Sequence, residues 1–437
     1  MSGHAARWIG SPGGRVSGEI RVPGDKSISH RAVMLGAIAG GDTEVRGFAD
    51  GEDCLATLAA FRAMGVRFER PAQDRLVIHG AGSRGLSAPP AALDAGNSGT
   101  AMRLMTGLLA GQEFDSVLRG DDSLMRRPME RVAAPLRRMG AAIRTRRGLP
   151  PIEITGRQAL HGCAHELEVP SAQVKSAILL AGLYADGRTS VSEPAPTRDH
   201  TERMLARFGV SVLRDAVAVS LVGPAPLTGC RIEVPGDFSS AAFFIVAGIV
   251  AGRAPLVIRR VGVNPTRTGL LDILHLMGAD IRQLGSGEAG GEPVADLEIR
   301  PGALRGIRVP QAHVASAIDE FPVLFAAAAL AEGETLVTGA AELRVKESDR
   351  IAVVAEGLRR LGVEVEILPD GMRIVGGAVS GGIVESRGDH RVAMAFGILA
   401  ARATGPLLIR DVGDVATSFP GFAATARRAG LRLDEEH

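Results

Sequence analysis

The chain has 437 residues, enough for two or three domains with sizeable cores. A net charge of +1 and an aromatic content of 3% speak against nucleic acid as a partner, since a polyanion calls for a basic surface and single strands call for stacking platforms. Hydrophobic residues at 46% point to a globular fold, and the sparse cysteines (Cys54, Cys163, Cys230) form no CxxC pair or metal-type spacing and suit a reducing cytoplasm.

In chain order, the opening "MSGHAARWIGSPGGRV" lacks the apolar run of a secretory signal. A strand-like "EIRV" then enters Pro23-Gly24, the polar triplet Asp25-Lys26-Ser27 and a helix-like run to Gly40-Gly41. Gly-Lys-Ser would suggest a nucleotide phosphate loop, but an aspartate stands where the glycine belongs. From there two patterns alternate. The first is a helix end, a glycine and a short strand: "AMGVRFE", "RMGAAIRT", "RFGVSVLR", "LMGADIRQ", "RLGVEVEI" and "RAGLRLDE". Its glycines (Gly65, Gly140, Gly209, Gly278, Gly362, Gly430) each fit a helix C-cap in the left-handed region. The second is a polar cap before a helix rich in Ala and Gly, opening at "PGDKS", "GNSGT", "VPSAQ", "VPGDF", "ASAIDEF" and "SRGDH". The longest apolar stretches, "AAFFIVAGIVAG" and "FPVLFAAAALA", fall short of the roughly 20 residues that span a bilayer and read as buried core helices.

The chain therefore reads as six copies of a unit of roughly 70 residues, each with two helices and several short strands, packed as two clusters of three. "IRVPGDKS" at 20–27 and "IEVPGDFS" at 232–239 are nearly identical, and each is expected to open one triplet. That places one domain at 24–235 and the other at 1–23 plus 236–437.

The cations are spread less evenly than the caps. Lys26, Ser27 and Arg31 open the first helix, with Ser27 and Arg31 one turn apart. A cation at a helix N-terminus opposes the macrodipole, so Lys26 and Arg31 are either solvated or answered by a bound anion. Arg126 and Arg127 precede Pro128, a favoured first helical residue, and Arg198 stands in a similar place. Lys346, Glu347 and Arg350 are read at another helix start, with Lys346 and Arg350 one turn apart, and His390 and Arg391 lie at a sixth cap. Gly99 would let backbone N–H groups approach a ligand closely. Asp319, just before Pro322, is either a plain cap or a general base; Glu347 is the second acid–base candidate. No residue pattern calls for a metal, a dinucleotide loop or a serine nucleophile.

"PGDKSISHRA", "GNSGTAMR", "RRPM", "SAQVKSA", "TRDHTE", "RVKESDR" and "GDHRVAMAF" together resemble the 5-enolpyruvylshikimate-3-phosphate synthase family, in its order and spacing, over nearly the whole chain. The resemblance implies an α/β fold, a two-domain inside-out α/β barrel of six βαβαββ units, three per domain, with the active site in the cleft between domains. It implies transfer of the enolpyruvyl group of phosphoenolpyruvate to 3-phosphoshikimate, with release of phosphate, in the shikimate route to aromatic amino acids. It assigns phosphoshikimate to Lys26, Ser27, Arg31, Ser171, Ala172, Gln173, Arg198, Asp319 and Lys346. Phosphoenolpyruvate falls to Lys26, Gly99, Arg127, Gln173, Arg350 and Arg391. Asp319 and Glu347 would move protons, with Lys26 assisting. No metal or organic cofactor is expected, and the expected partners are these two small molecules alone, with no nucleic acid and no membrane, in a cytoplasmic monomer. Glyphosate sensitivity is expected from Gly99. The alternatives are UDP-N-acetylglucosamine enolpyruvyl transferase, which typically relies on a reactive loop cysteine, and a non-catalytic repeat scaffold that binds anions. None of the three cysteines lies in a comparable basic loop.

Overall fold

Six helices of the computed structural model, which describes residues 6–215 and 218–436, end on the six marked glycines. They are Glu52–Ala63, Glu130–Arg138, His200–Arg207, Gly269–Leu276, Arg350–Arg360 and Phe422–Arg428. Each glycine is left-handed, with φ from +83° at Gly362 to +100° at Gly430. The closure is the same every time. Gly65 donates to Arg62 O at 3.0 Å and Val66 reaches back to Phe61 O at 3.1 Å; Gly430 and Leu431 repeat the pair on Arg427 O at 3.0 Å and Ala426 O at 2.9 Å. Two carbonyls left over at each helix end are thereby satisfied.

The interleaved helices are Lys26–Ala37, Gly99–Leu109, Ala172–Gly182, Phe238–Ala251, Phe321–Ala329 and His390–Leu399. Asp25, Ser98, Ser171, Asp237 and Asp389 cap five of them by accepting first-turn N–H groups. The fifth in chain order departs: Glu320 stands at its cap position and makes no side-chain cap bond. Asp319 lies one residue outside that position, so the structure decides against the plain-cap reading of this side chain. All nine residues of Phe321–Ala329 are buried. A helix apolar all round belongs inside a core, which is why these segments show little amphipathic pattern. Small residues let them pack closely. A Cβ on Gly107 would stand 2.1 Å from Ala177 O of the neighbouring helix.

The contacts divide the chain into two units. One comprises residues 1–23, 235–288 and 293–437; the other comprises 24–234 with the short piece 289–292. Each has its own hydrophobic core around three of the buried helices. In the unit 24–234, Lys26–Ala37, Gly99–Leu109 and Ala172–Gly182 pack together; in the other, Phe238–Ala251, Phe321–Ala329 and His390–Leu399 do so.

Three sheets belong to each unit, and one pattern recurs. Leu93–Asp94 runs parallel to Ser116–Arg119, which pairs antiparallel with Leu149–Thr155, itself antiparallel to Ala142–Arg146. Ala164–Glu166, Gly187–Ser192, Ala218–Gly223 and Leu213–Arg214 repeat it. With the helices between them, these strands make βαβαββ units.

Two strands are exchanged along the chain. Val16–Ile20 runs parallel to Gly252–Gly262, whereas Arg231–Glu233 runs parallel to Ala39–Arg46. Each exchanged strand leads into one of the two near-identical Val-Pro-Gly-Asp segments. In the fifth repeat the parallel strand shrinks to isolated bridges such as Arg308 with Leu336. In the sixth, Arg7–Ser11 pairs with both Leu407–Arg410 and Arg432–Glu436 and takes the place of the missing last strand. No helix among the described residues is long and apolar enough to cross a membrane.

Candidate active site

In the unit 24–234, Lys26 is the first residue of its helix, where its charge opposes the helix dipole. A carboxylate of the protein answers it: Lys26 Nζ lies 2.8 Å from Asp53 Oδ2, near the start of the next helix. The ammonium is therefore held in place before any anionic ligand arrives. Arg31 is buried, and each of its three nitrogens has a partner. Its Nε donates to Thr201 Oγ1 at 2.6 Å, Nη1 to Ser27 O at 2.9 Å and Nη2 to Ser176 Oγ at 2.8 Å. Burial pulls this guanidinium down to about 10, with Glu202 the foremost carboxylate opposing that and Arg198 adding to it. His30, one residue earlier, is pushed down to about 3 by burial first and by Lys26 and Arg31 next, so it is neutral. It bridges Thr57 Oγ1 at 2.8 Å and Ser98 Oγ, the cap of the Gly99 helix, at 3.2 Å.

Gly99 is the first residue of that helix. A Cβ built on it would lie 2.8 Å from Arg103 Nη1 and 3.2 Å from Arg127 Nη1, so two guanidinium tips converge over it. Arg103 Nη1 donates to Gln173 Oε1 at 2.7 Å, and Gln173 Nε2 donates to Thr100 Oγ1 at 2.9 Å. Arg127 Nη2 donates to Asn97 Oδ1 at 2.7 Å and to Ser123 Oγ at 3.3 Å. Gly99, Arg127 and Gln173 thus gather around one point. Ser171 caps the helix that Ala172 opens, and Gln173 projects from its first turn.

In the other unit, Asp319 Oδ1 lies 3.4 Å from Lys346 Nζ and 3.6 Å from Arg350 Nη1. Arg391 Nη1 donates to Asp319 O at 3.0 Å and stands 3.6 Å from Glu320 Oε1. Arg350 is only 1% exposed and is clamped by Asp389 Oδ2 at 2.8 Å from its Nε and Glu347 Oε2 at 2.6 Å from its Nη2. Burial alone would lower this guanidinium. Asp389, Glu347 and Asp319 outweigh burial and hold it above the usual arginine range. Its Nη1, facing Asp319, makes no hydrogen bond. All five residues proposed from this half, Asp319, Lys346, Glu347, Arg350 and Arg391, come together.

Three local expectations are corrected. Pro128 does not begin a helix: Glu130 does, and Arg127 is extended with φ −81° and ψ 139°. The helix after Arg198 begins at His200 behind Asp199. Lys346 is extended ahead of a helix that begins at Arg350, so these two share no helical face; they converge through Asp319. In each case the arginine or lysine stands outside the helix proper, and at Arg127 and Lys346 its side chain is held by residues distant in sequence, Asn97 and Asp319.

Sequence reasoning missed Asp53, Arg103 and Asp389. Arg103 carried a usable signal, since it stands one turn after Gly99 in "GNSGTAMR". Asp53 and Asp389 carried only a weak one, a carboxylate beside a helix start. Among the described residues no group of three or more His, Cys, Asp or Glu side chains could hold a metal ion.

Six helix-in, sheet-out repeats, with guanidinium and ammonium groups gathered around carboxylates near the starts of their helices, define an α/β enzyme for anionic small molecules. The chain belongs to the EPSP synthase (3-phosphoshikimate 1-carboxyvinyltransferase) family, whose model matches residues 11–425. It is 59% identical over 428 residues to the 3-phosphoshikimate 1-carboxyvinyltransferase of Methylococcus capsulatus, covering 98% of each chain. An EPSP synthase structure from Acinetobacter baumannii superposes with a TM-score of 0.89 at 52% identity, over 99% of this chain and 100% of that one. The enolpyruvyl transferase NikO from Streptomyces tendae shares the fold, with a TM-score of 0.79 at 17% identity over 99% of each chain.

Proposed function

We propose that this chain transfers the enolpyruvyl group of phosphoenolpyruvate to the 5-hydroxyl of 3-phosphoshikimate and releases phosphate, in aromatic amino acid biosynthesis. The full-length match to enzymes of that name carries the reading. The two groups of cations support it, because the substrates bring two phosphates and two carboxylates, and arginine forks and ammonium groups suit both.

An acid protonates the methylene carbon of phosphoenolpyruvate, and the 5-hydroxyl adds to the adjacent carbon as a base takes its proton. The tetrahedral adduct then loses phosphate while a methyl proton is removed, which restores the enol ether. We assign the proton transfers to Asp319 and Glu347, with Lys26 assisting. Asp319 faces two cations, and its carboxylate is the group placed to accept a proton from a positioned hydroxyl. Prearranged cations stabilise the charge that develops on the phosphate and carboxylate oxygens. Lys26, Ser27, Arg31, Ser171, Ala172, Gln173, Arg198, Asp319 and Lys346 are assigned to phosphoshikimate. Lys26, Gly99, Arg127, Gln173, Arg350 and Arg391 are assigned to phosphoenolpyruvate. The working form is proposed to be a cytoplasmic monomer, which light scattering on the purified protein would check for size.

A phosphate-release assay tests the activity. Release is expected only when both substrates are present. Release with UDP-N-acetylglucosamine in place of 3-phosphoshikimate, or none with either acceptor, would sink the reading.

A further inference from the structure

The helix His200–Arg207 buries polar side chains where a surface helix normally buries apolar ones. His200, Thr201 and Glu202, its first three residues, are at most 3% exposed. Each is tied to a different part of the unit. His200 Nδ1 lies 2.7 Å from Glu292 Oε1 in the short piece 289–292. Thr201 Oγ1 accepts from Arg31 Nε and donates to Ser176 Oγ at 2.7 Å. Glu202 Oε1 lies 3.0 Å from Lys175 Nζ.

Lys175 is the centre of this arrangement. Its side chain is 4% exposed, and besides Glu202 it reaches Glu193 Oε2 at 2.7 Å and Thr197 O at 3.4 Å. Thr197 Oγ1 in turn donates to Glu193 Oε1. One buried ammonium therefore fixes both ends of the segment 193–197, which delivers Arg198. The next residue, Ser176, holds Arg31 from the same helix. Lys175 faces the two carboxylates Glu193 and Glu202, and Glu202 is also the foremost carboxylate acting on Arg31. Buried charges persist only when compensated, so the four groups are interdependent.

We propose that Lys175 is a positioning residue for Arg31 and Arg198, acting through Glu193, Glu202 and the 193–197 segment, and so sets affinity for the acceptor substrate. This rests on the assignment of those two arginines to 3-phosphoshikimate. It concerns binding of one substrate and not the proton transfers.

The experiment is calorimetric binding of 3-phosphoshikimate alone, with steady-state kinetics alongside, for wild type, Lys175→Met and Lys175→Met/Glu202→Gln. The double variant removes one buried cation together with one of its two carboxylates, so the net charge of the cluster is that of wild type, and it guards against simple loss of folding. Both variants are expected to weaken 3-phosphoshikimate binding and raise its KM by about tenfold or more, as small misplacements of positioning groups do. The KM for phosphoenolpyruvate is expected to stay within about threefold of wild type. The double variant should recover thermal stability lost in the single one without recovering affinity. If wild type binds and turns over its substrates while the folded double variant keeps its Kd within about twofold, the proposal is overturned and the function stands. A fall in kcat with both KM values unchanged also overturns it. If wild type does not bind 3-phosphoshikimate at all, the functional reading and this proposal fall together.

Discussion

At Gly99 the space for a single methyl group is set by two guanidinium tips, Arg103 Nη1 at 2.8 Å and Arg127 Nη1 at 3.2 Å from where a Cβ would be. Both are far ends of flexible side chains, so alanine is accommodated by shifting them, and Arg127 is assigned to phosphoenolpyruvate. Glyphosate, on the family resemblance, is expected to occupy the same place and is longer. Gly99→Ala is therefore expected to raise the glyphosate inhibition constant more than the KM for phosphoenolpyruvate, with a difference worth about 1–3 kcal/mol. Measuring both constants in one buffer decides it; an equal rise in both would contradict the steric argument. Asp319 makes a contrasting case. Asp319→Asn keeps the volume and removes the charge facing Lys346 and Arg350, so kcat is expected to fall by about 10²–10⁴ while 3-phosphoshikimate still binds. Turnover within about tenfold of wild type would show that Asp319 is not the base. Cations were easy to read in the sequence, yet their partners were not. Lys26 meets Asp53 and Arg350 meets Asp389 across 27 and 39 residues, beyond any i,i+4 rule. Asp319, just before Pro322, was legible only as a plain cap or a general base, because a carboxylate beside a helix start fits both.

The six glycine-terminated helices were legible because a left-handed C-cap is a local demand that only glycine meets cheaply. Local signals failed where a loop intervenes, as at Pro128, whose carbonyl accepts from Arg103 Nη2 and whose neighbour Arg127 reaches Asn97, contacts 25 and 30 residues away in sequence. The closing strand Arg7–Ser11 was illegible as the missing member of the sixth sheet for a different reason: its partners lie some 400 residues away and a five-residue strand has no register signal of its own. The repeated caps allow an internal control on backbone strain. Gly209 and Gly430 share the same closure, with φ +92° and +100°. A Cβ at Gly209 meets nothing within 4 Å, whereas one at Gly430 would lie 2.3 Å from Arg15 O. Gly209→Ala should then cost only the left-handed penalty of about 1–2 kcal/mol. Gly430→Ala should cost clearly more, because the backbone carbonyl of Arg15, directly before the exchanged strand Val16–Ile20 and itself bonded through its N–H to Gly430 O, cannot move aside easily. Urea unfolding of both variants tests this; equal losses would mean that the Arg15 contact relaxes without cost.

At the scale of the molecule, the assigned binding residues are divided unequally between the two units. Seven of the nine residues assigned to 3-phosphoshikimate, from Lys26 to Arg198, belong to the unit 24–234, and only Asp319 and Lys346 belong to the other. Each unit has a separate hydrophobic core, so the two can unfold in separate steps. A ligand stabilises what it binds by mass action, by about 2.7 kcal/mol at a hundred times its Kd. In a unit of this size such a gain raises the melting temperature by roughly 5–10 °C, at about 2–4 °C per kcal/mol. With 3-phosphoshikimate alone, scanning calorimetry is expected to show one transition moving up by that amount and the other moving far less. Hydrogen exchange should assign the moving transition to peptides from Lys26–Ala37 and Ala172–Gly182, the helices that carry Arg31 and Gln173. Lys175→Met should shrink the shift of that transition, because the affinity that drives it depends on Arg31 and Arg198. Protection centred on Phe321–Ala329, with the other transition moving instead, would mean that the acceptor substrate is held mainly by Asp319 and Lys346, and the assignment of the arginines would have to be withdrawn; equal shifts would contradict the unequal division of the assigned residues.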